Sequence, residues 1–332
     1  MGEPDGTGTD GTVKKTVLVI GDLMVDEYVS GADEGFVEDH IPKIVAVRVK
    51  PCVGGAANVA NILKDLGVDV KLAGIVGGDD AGNWLLNNVG VDTQFVYKHK
   101  SAPTTIKTRV YSEGKPRLRY DCDVHYVDCE RQFKRNVLNA IETSPDMVLL
   151  SDYNKGALSP TILHEVKTTC HKRGIPVIGN IKPGNVQYTK NGGHLRLLST
   201  NYKEFCELAG KKILGNSYDE IAVSMKDIVD RFALESLLVT LGDAGMCYMG
   251  VHGMFAAEAE RVEPVSTVGA GDAVIAAVAA YLCRTDPPEN ESVEYEMLRF
   301  ANSITAKYIT TNRGAIVGLN IAPTEGNKWK TQ

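Results

Sequence analysis

Short apolar runs alternate with helical patterns along most of the chain. Residues 16–20 form an apolar run that ends in Gly21-Asp22, as in a buried parallel strand that delivers polar residues at its carboxyl end. Similar runs predict strands at 70–76, 147–150, 177–179, 195–198 and 237–240. Helical spacing of apolar residues predicts helices at 56–66, 81–89, 160–173, 202–208, 217–232, 273–282 and 293–308. This alternation predicts an α/β fold whose mostly parallel sheet is covered on both faces.

Two blocks, at 28–52 and 103–121, break this rhythm because their apolar and polar residues alternate singly. In the second block, Glu113-Gly114-Lys115 separates two alternating runs, which is typical of a hairpin. We therefore expect a small β-sheet outside the main layer, acting as a lid. The Gly-rich residues 1–15 are expected to form a disordered tail, and 321–332 a C-terminal tail.

Composition and charge narrow the class of protein. The chain has 332 residues with 36 Lys+Arg against 42 Asp+Glu, so the net charge of −6 gives no general attraction to nucleic acid or anionic membranes. No apolar stretch approaches the roughly 20 residues that span a bilayer. The seven cysteines are scattered without a C-x-x-C pair, which favours neither a metal site nor a disulfide framework. A reducing compartment, and hence a cytoplasmic location, is expected.

The segment Thr267-Val268-Gly269-Ala270-Gly271-Asp272 runs directly into the apolar helix predicted at 273–282. Small residues let the backbone approach a ligand closely, and a helix start presents unpaired N–H groups and a positive dipole end. This arrangement suits charge that develops on a transferring phosphoryl group, and Asp272 could take the proton of an attacking hydroxyl. A Gly-rich turn with an ordinary N-terminal Asp is the alternative interpretation.

A second glycine pair, Gly54-Gly55, opens the helix predicted at 56–66. Asn58 follows in the first turn, where its amide could meet sugar hydroxyls. Taken alone, the segment could equally be a tight turn followed by a polar helix residue.

With both motifs in one chain, the sequence resembles the ribokinase-like (PfkB) carbohydrate kinases. The order GD-x-M-x-D, GGAANVA, PTT-x-K-T-R-V, SDY-x-KGAL, N-x-x-E and GAGD is followed from residue 16 to residue 318. Within that family, these segments are most similar to those of D-glycero-β-D-manno-heptose 7-phosphate kinases. The resemblance implies a three-layer αβα sandwich with a central, mostly parallel sheet and a small β-sheet lid, in a kinase domain at 16–320.

The resemblance also implies roles for individual residues. Asp272 would be the catalytic base, and the backbone of Gly269, Ala270 and Gly271 would form the anion hole. The implied sugar contacts are Asp26, Gly54, Gly55 and Asn58. ATP and Mg²⁺ are the implied cofactors, and Glu204 is the implied metal ligand because Mg²⁺ favours carboxylates. The implied nucleotide-side residues are Lys182, Asn201, Glu204, Thr240, Gly242, Gly245 and Asn302.

Lys107, Arg109 and Lys155 are candidates for binding a substrate phosphate, and Asn154 lies beside the last of them. Ammonium and guanidinium groups suit phosphate, the latter through its bidentate fork. For Lys107 and Arg109 an alternative stays open, since alternate residues of an exposed strand are often charged for solubility.

The chain departs from the family pattern at several positions. Ser266 stands where an Asp is usual and Val268 where a Thr is usual, which puts activation by K⁺ in doubt. The usual D-P-K segment is Asn180-Ile181-Lys182 here. Residues 33–40 differ from the heptose-kinase pattern of the lid, which bears on the choice of sugar.

The resemblance implies ATP-dependent phosphorylation of heptose 7-phosphate at its anomeric hydroxyl, giving the 1,7-bisphosphate. The alternatives are a kinase of another sugar, such as fructose or a sugar phosphate, and a catalytically silent homologue that binds sugar and nucleotide. The expected partners are a sugar phosphate and ATP, and neither nucleic acid nor membrane. A homodimer through the lid strands is expected, because uncovered sheet edges tend to find a partner.

Overall fold

The computed structural model describes residues 14–126, 128–190, 192–213, 218–285 and 291–311. The tail predicted at 1–15 lies outside these residues except for Lys14 and Lys15, and the tail predicted at 321–332 lies wholly outside them. The strands are β1 (Thr16–Gly21), β2 (Leu23–Val37), β3 (Ile41–Gly55), β4 (Asp69–Ala73), β5 (Ile75–Gly77), β6 (Tyr97–His99), β7 (Ile106–Ser112), β8 (Lys115–Cys122), β9 (Met147–Ser151), β10 (Val177–Asn180), β11 (Leu197–Asn201), β12 (Leu237–Thr240), β13 (Met246–Gly250) and β14 (Gly253–Ala257). The helices are α1 (Ala56–Asp65), α2 (Asp80–Asn88), α3 (Glu130–Glu142), α4 (Pro160–Arg173), α5 (Pro183–Val186), α6 (Tyr202–Ala209), α7 (Tyr218–Phe232), α8 (Ala270–Leu282) and α9 (Glu291–Thr310).

The main sheet has the strand order β14-β13-β12-β11-β10-β9-β1-β4. Neighbours from β12 to β4 are parallel, and β13 and β14 continue the sheet as an antiparallel edge. Alternate residues of β1 enter different cores, because side chains alternate across a strand. Val17 and Val19 pack in the core that includes α1, α8 and α9, whereas Leu18 and Ile20 pack in the core that includes α3, α4 and α7. The three-layer α/β prediction is confirmed.

The second sheet has the order β3-β2-β7-β8, and we call it the lid sheet. β2 and β3 form a long antiparallel pair that reaches from Leu23–Gly55 at its buried end to Val37–Ile41 at its exposed end. β7 and β8 form the predicted hairpin. β2 and β7 pair in parallel, however, although single alternation had predicted antiparallel strands throughout.

The structure differs from the sequence-based prediction in several elements, among them the short β6 and α5, which were not predicted. The strand predicted at 70–76 breaks at Gly74, where a Cβ atom would lie 2.7 Å from the backbone oxygen of Gly21. Helix α3 was not predicted, although Phe133, Val137 and Ile141 lie on one buried stripe at helical spacing. The β13–β14 hairpin was also missed. Across the described parts of the chain, no helix is long and apolar enough to cross a membrane.

Candidate active site

Parallel strands bring several polar residues to one edge of the main sheet. Gly21 is in register with Ser151, and Ser151 is in register with Asn180. Asp22 and Asp152 directly follow the first two of these residues, so both lie at the carboxyl edge, and both are buried. The start of α8 meets this edge as well, since a Cβ atom on Gly271 would lie 3.9 Å from the Asn180 amide nitrogen.

Asp22 fixes the loop that follows β9. Its carboxylate accepts hydrogen bonds from the backbone N–H groups of Tyr153 at 2.8 Å, Lys155 at 3.0 Å and Ala157 at 2.9 Å. Burial raises the pKa of Asp22, while the three donated hydrogen bonds act in the opposite direction. The site prediction did not include Asp22, although its place directly after a buried apolar run was the available signal.

Asp152 connects this loop to the next strand end. One carboxylate oxygen accepts from the backbone N–H of Asn154 at 2.7 Å. The other accepts from the backbone N–H of Lys182 at 3.0 Å and from the side-chain amide of Asn185 at 2.8 Å. Asn154, a predicted substrate contact, is exposed. Its φ of 57° is the left-handed conformation of a residue in the loop that follows β9.

Asp272 lies in the first turn of α8 and is buried. Its Oδ2 atom accepts a hydrogen bond from the Asn58 amide at 2.7 Å, and its Oδ1 atom accepts one from the Tyr153 hydroxyl. Gly269 precedes the helix with a φ of 86°, and a Cβ atom there would lie 2.6 Å from the Tyr308 hydroxyl. The anion-hole backbone and the predicted base are therefore packed against Asn58, a predicted sugar contact.

Two tyrosines complete this group, and the site prediction did not include either. Tyr308 of α9 is hydrogen-bonded to Asn58, whose amide nitrogen lies 3.0 Å and whose amide oxygen lies 3.2 Å from its hydroxyl. The Tyr153 ring faces the ammonium groups of Lys107, at 4.9 Å from the ring centroid, and Lys182, at 5.6 Å. Tyr153 belongs to the SDY-x-KGAL segment, so the motif was the available signal. Desolvation and the charge of Asp272 raise the pKa of Tyr153 well above its usual value, so its hydroxyl keeps its proton.

Asp26 and Arg109 form an ion pair at 2.6 Å across β2 and β7. The guanidinium also lies over the ring of Tyr28, 5.6 Å from its centroid. Gly54 packs against the same carboxylate, since a Cβ atom there would lie 2.6 Å from Asp26 Oδ2. Gly55 has a φ of 60° and turns the chain into α1.

The three predicted phosphate ligands differ in their surroundings. Arg109 is paired with Asp26, and Lys155 is paired with Asp123 at 2.5 Å. Lys107 is buried, and within the described residues its ammonium group has neither an ion pair nor a hydrogen bond. Burial lowers the pKa of Lys107, although the charge of Asp26 partly offsets this effect.

Lys182, the second ammonium group beside the Tyr153 ring, forms an ion pair with Glu204 at 2.5 Å. The second carboxylate oxygen of Glu204 accepts from the backbone N–H of Asn201 at 3.1 Å, and the Asn201 side chain accepts from the backbone N–H of Glu204 at 2.9 Å. This reciprocal pair is a capping box that starts α6. Thr240 lies nearby, with its hydroxyl 3.5 Å from the backbone oxygen of Thr200.

The remaining predicted nucleotide residues lie around the β13–β14 edge. Gly242 and Gly245 have φ angles of 66° and 97°, and they belong to the turn between β12 and β13. Asn302 of α9 donates to the backbone oxygens of Glu258 at 3.0 Å and Ala257 at 3.4 Å. The described contacts of its side-chain nitrogen are therefore to the backbone after β14.

These residues fit a nucleotide and a magnesium ion. Among the described residues, Asn180 Oδ1 and Thr200 Oγ1 are buried without a hydrogen-bond partner at this edge. Apart from the helix's own backbone and the residues next to Gly271, no described atom lies closer than 3.9 Å to the position of a Cβ atom on Gly271, so there is room beside the helix start for phosphate oxygens. The described residues contain no group of three or more acidic, His or Cys side chains that could hold a metal ion. The single carboxylate of Glu204 still suits Mg²⁺, which usually binds through one or two carboxylates, substrate phosphates and waters.

Hydrogen bonds within the segment and to α9 fix the residues that precede α8. Ser266 accepts a hydrogen bond from the Val268 N–H at 3.3 Å, and the N–H groups of Val265 and Ser266 donate to the backbone oxygen of Ile309. The described contacts of Ser266 are therefore with its own segment and with the end of α9, and dependence on K⁺ stays an open prediction.

Residues 14–321 match the pfkB family carbohydrate kinases. The chain belongs to this family. The prediction of an ATP-dependent sugar kinase is confirmed at that level. The chain is 33% identical over 294 residues to the bifunctional protein HldE of Campylobacter fetus, covering 86% of this chain and 62% of the relative. It is 35% identical over 278 residues to the bifunctional protein HldE of Rhodopseudomonas palustris, covering 81% of this chain and 56% of the relative. The chain thus spans less than two thirds of the length of these relatives.

Solved structures show the same fold. The tetrameric inhibited form of phosphofructokinase-2 from Escherichia coli superposes with a TM-score of 0.72 at 21% identity, covering 90% of this chain and 94% of that one. The complex of the same enzyme with fructose-6-phosphate gives a TM-score of 0.71 at 18% identity, with the same coverage of each chain.

Proposed function

We propose that this kinase phosphorylates heptose 7-phosphate at its anomeric hydroxyl, giving the 1,7-bisphosphate, with Asp272 as the base. Bound ATP would supply the phosphoryl group, and the Mg²⁺ ion would neutralise part of the negative charge of that group. The order of the GD-x-M-x-D, GGAANVA, PTT-x-K-T-R-V and SDY-x-KGAL segments supports the heptose acceptor.

The proposal of a phosphorylated acceptor rests on Lys107, which is buried and has no ion pair among the described residues. A buried ammonium group that lacks an ion pair is costly, even though the charge of Asp26 offsets part of this cost, and such a group is expected where a ligand brings a further anion. Lys107 lies against the ring of Tyr153, whose hydroxyl contacts Asp272. If the phosphate of an acceptor binds Lys107, the sugar of that acceptor can therefore lie next to Asp272, the predicted base.

Asp272 has the surroundings that a base for hydroxyl attack requires. Asn58 orients one carboxylate oxygen, and the other oxygen faces the side of Tyr153 and Lys107. In this proposal, the N–H groups at the start of α8 receive the negative charge of the transferred group. Positioning and electrostatics then supply most of the rate in such a transfer.

The alternative acceptor is another sugar or sugar phosphate, and the divergent residues 33–40 favoured it. In the structure this segment lies at the exposed end of the lid sheet. Asp33 pairs with Arg117 at 3.2 Å, and Glu34 pairs with Lys43 at 2.8 Å. Because these charges are satisfied within the lid sheet, the divergence need not reflect a different sugar.

The test is ADP release with Mg-ATP and a panel of acceptors: heptose 7-phosphate, fructose 6-phosphate, fructose, ribose and adenosine. We expect turnover with heptose 7-phosphate and its loss in Asp272→Asn. Lys107→Met should raise the KM for the phosphorylated acceptor by about tenfold or more, whereas the exposed Lys115→Met of β8 serves as the matched control. Turnover on another sugar only would overturn the heptose assignment. Binding of ATP without turnover on any acceptor would favour the silent homologue.

We also propose that two chains pair through the lid sheet. Large apolar side chains are exposed on it, including Phe36 at 71% and Ile41 at 57% of their full accessibility. Several exposed apolar side chains on one small sheet are typical of an interaction surface. Light scattering should report a dimer at micromolar concentration, and Phe36→Ser with Ile41→Ser should shift it towards monomer. A wild-type chain that is monomeric under these conditions would contradict the pairing.

A further inference from the structure

The backbone at Tyr153 is fixed, whereas its side chain is held by contacts that ligands can replace. Asp22 accepts the N–H groups of Tyr153, Lys155 and Ala157, so the loop cannot shift without breaking three hydrogen bonds to a buried carboxylate. The ring itself is held by its hydroxyl on Asp272 and by the ammonium groups of Lys107 and Lys182. Motion of this residue therefore means rotation of its side chain.

The Asn58 amide and the Tyr153 hydroxyl, which both donate to Asp272, differ in how firmly they are held. Asn58 lies within helix α1, and its amide is also bonded to the Tyr308 hydroxyl through both of its polar atoms. Tyr153 donates from a loop, and its ring is attracted by two ammonium groups that both suit phosphate. Of the two donors, Tyr153 is the one that a substrate can replace.

We propose that Tyr153 is a removable cover on Asp272, which the acceptor hydroxyl displaces when a phosphorylated acceptor and the nucleotide bind. The proposal rests on the proposed role of Asp272 as the base. Tyr153 is a positioning residue in this scheme, because it acts through Asp272. Its effect is to keep the carboxylate from activating water before the acceptor arrives.

The exchange replaces one hydroxyl donor by another at the same carboxylate oxygen. Phosphate groups compete with the Tyr153 ring for Lys107 and Lys182, which weakens the attraction that holds the ring over the base. The acceptor hydroxyl then donates to Asp272 Oδ1 in place of the phenol. On transfer, the acceptor oxygen bonds to the γ-phosphorus, the bond from that phosphorus to the ADP oxygen breaks, and the proton passes to Asp272. In the uncovered enzyme without acceptor, water follows the same course and yields inorganic phosphate.

The protonation state of Tyr153 suits this role. Its pKa is raised well above the usual value by desolvation and by the charge of Asp272, so the phenol remains a donor over the working pH range of an enzyme. A deprotonated phenolate would repel the carboxylate instead of covering it.

The test compares Tyr153→Phe with wild type in two assays. Removal of the hydroxyl should raise ADP release in the absence of any acceptor by about tenfold, since a hydrogen bond to a charged group is then missing from the resting state. Calorimetric binding of heptose 7-phosphate without nucleotide should tighten severalfold, because no phenol competes for Oδ1. Tyr126→Phe is the matched control, since the Tyr126 hydroxyl also donates one hydrogen bond, to the backbone oxygen of Pro103 at 3.0 Å, and its loss should change neither quantity.

The proposal would be overturned if a folded Tyr153→Phe variant released ADP without acceptor no faster than wild type. It would also be overturned if the raised release persisted in the double variant that carries Asp272→Asn as well. If Tyr153→Phe does not fold, Tyr153→Met also lacks the hydroxyl and should show the same raised release. Acceptor-free release does not depend on which sugar is the substrate. The heptose assignment can therefore fail in the acceptor panel while the cover is still tested here.

Discussion

The Asn58 amide donates a hydrogen bond of 2.7 Å to Asp272 Oδ2, although 214 positions separate the two residues in the chain. Each lies near the start of a helix that follows a glycine, and α1 and α8 pack in the same core. The contact joins the two glycine motifs into one group. It also gives Asn58 a role in orienting Asp272, in addition to the sugar contact that the family resemblance implies.

We expect Asn58→Ala to lower kcat by about 10- to 100-fold, because the loss of a hydrogen bond to a carboxylate leaves Asp272 misoriented for proton transfer. The KM for the acceptor should change much less. Steady-state kinetics on the best acceptor of the panel measure both quantities, with the helix residue Asn83, which accepts from Lys98 at the surface, replaced by Ala as the control. A change confined to KM would assign Asn58 to sugar binding alone.

Gly54→Ala should weaken acceptor binding through Asp26. The added methyl group would lie 2.6 Å from the Asp26 carboxylate and push it away from Arg109. We expect the KM for the acceptor to rise by about tenfold while the KM for ATP stays near wild type. Gly184→Ala, where a Cβ atom meets nothing within 4 Å, is the control. Equal increases in both KM values would show that the damage is not limited to the sugar side.

Glu204→Gln should raise the Mg²⁺ concentration needed for half-maximal ADP release by about tenfold. The variant removes the negative charge that pairs with Lys182 and that would attract the metal ion. A magnesium titration at fixed ATP measures the effect, and Glu207→Gln, exposed on the same helix, is the control. An unchanged magnesium requirement would limit Glu204 to starting α6.

Lys167 makes the stability of the fold depend on pH. Its side chain is buried and donates to the backbone oxygen of Thr189, and desolvation lowers its pKa to about 8 from the usual 10.5. Between these two values the unfolded chain binds more protons than the folded chain, so this group adds stability as the pH rises. We expect the free energy of unfolding of wild type, relative to Lys167→Met, to increase by about 2 kcal/mol from pH 7 to pH 10.

Urea unfolding of both proteins at the two pH values measures that difference. Lys172→Met is the control, because Lys172 is exposed on the same helix, and the stability of wild type relative to this variant should not change with pH. A difference between wild type and Lys167→Met that does not change with pH would show that Lys167 keeps an ordinary pKa in the folded chain.

The sequence alone was enough to predict the α/β fold and the alternating strands of the lid sheet. These elements depend on local patterns, because buried strands, helix starts and glycine turns leave their marks within a few residues. The roles of Asp26, Asn58, Lys182, Glu204 and Asp272 were implied by the family resemblance and stay predictions. The parallel pairing of β2 with β7 depends on packing between distant segments. Helix α3 and the β13–β14 hairpin were missed although their signals are local.

The tertiary structure decided which charges are satisfied and which remain for ligands. Side-chain chemistry made Lys107, Arg109 and Lys155 candidates for a phosphate. Folding placed Asp26 against Arg109 and Asp123 against Lys155, and it left Lys107 buried against Tyr153. Electrostatic energies depend on distance and burial, which the order of residues does not give, so only the folded chain distinguishes the three.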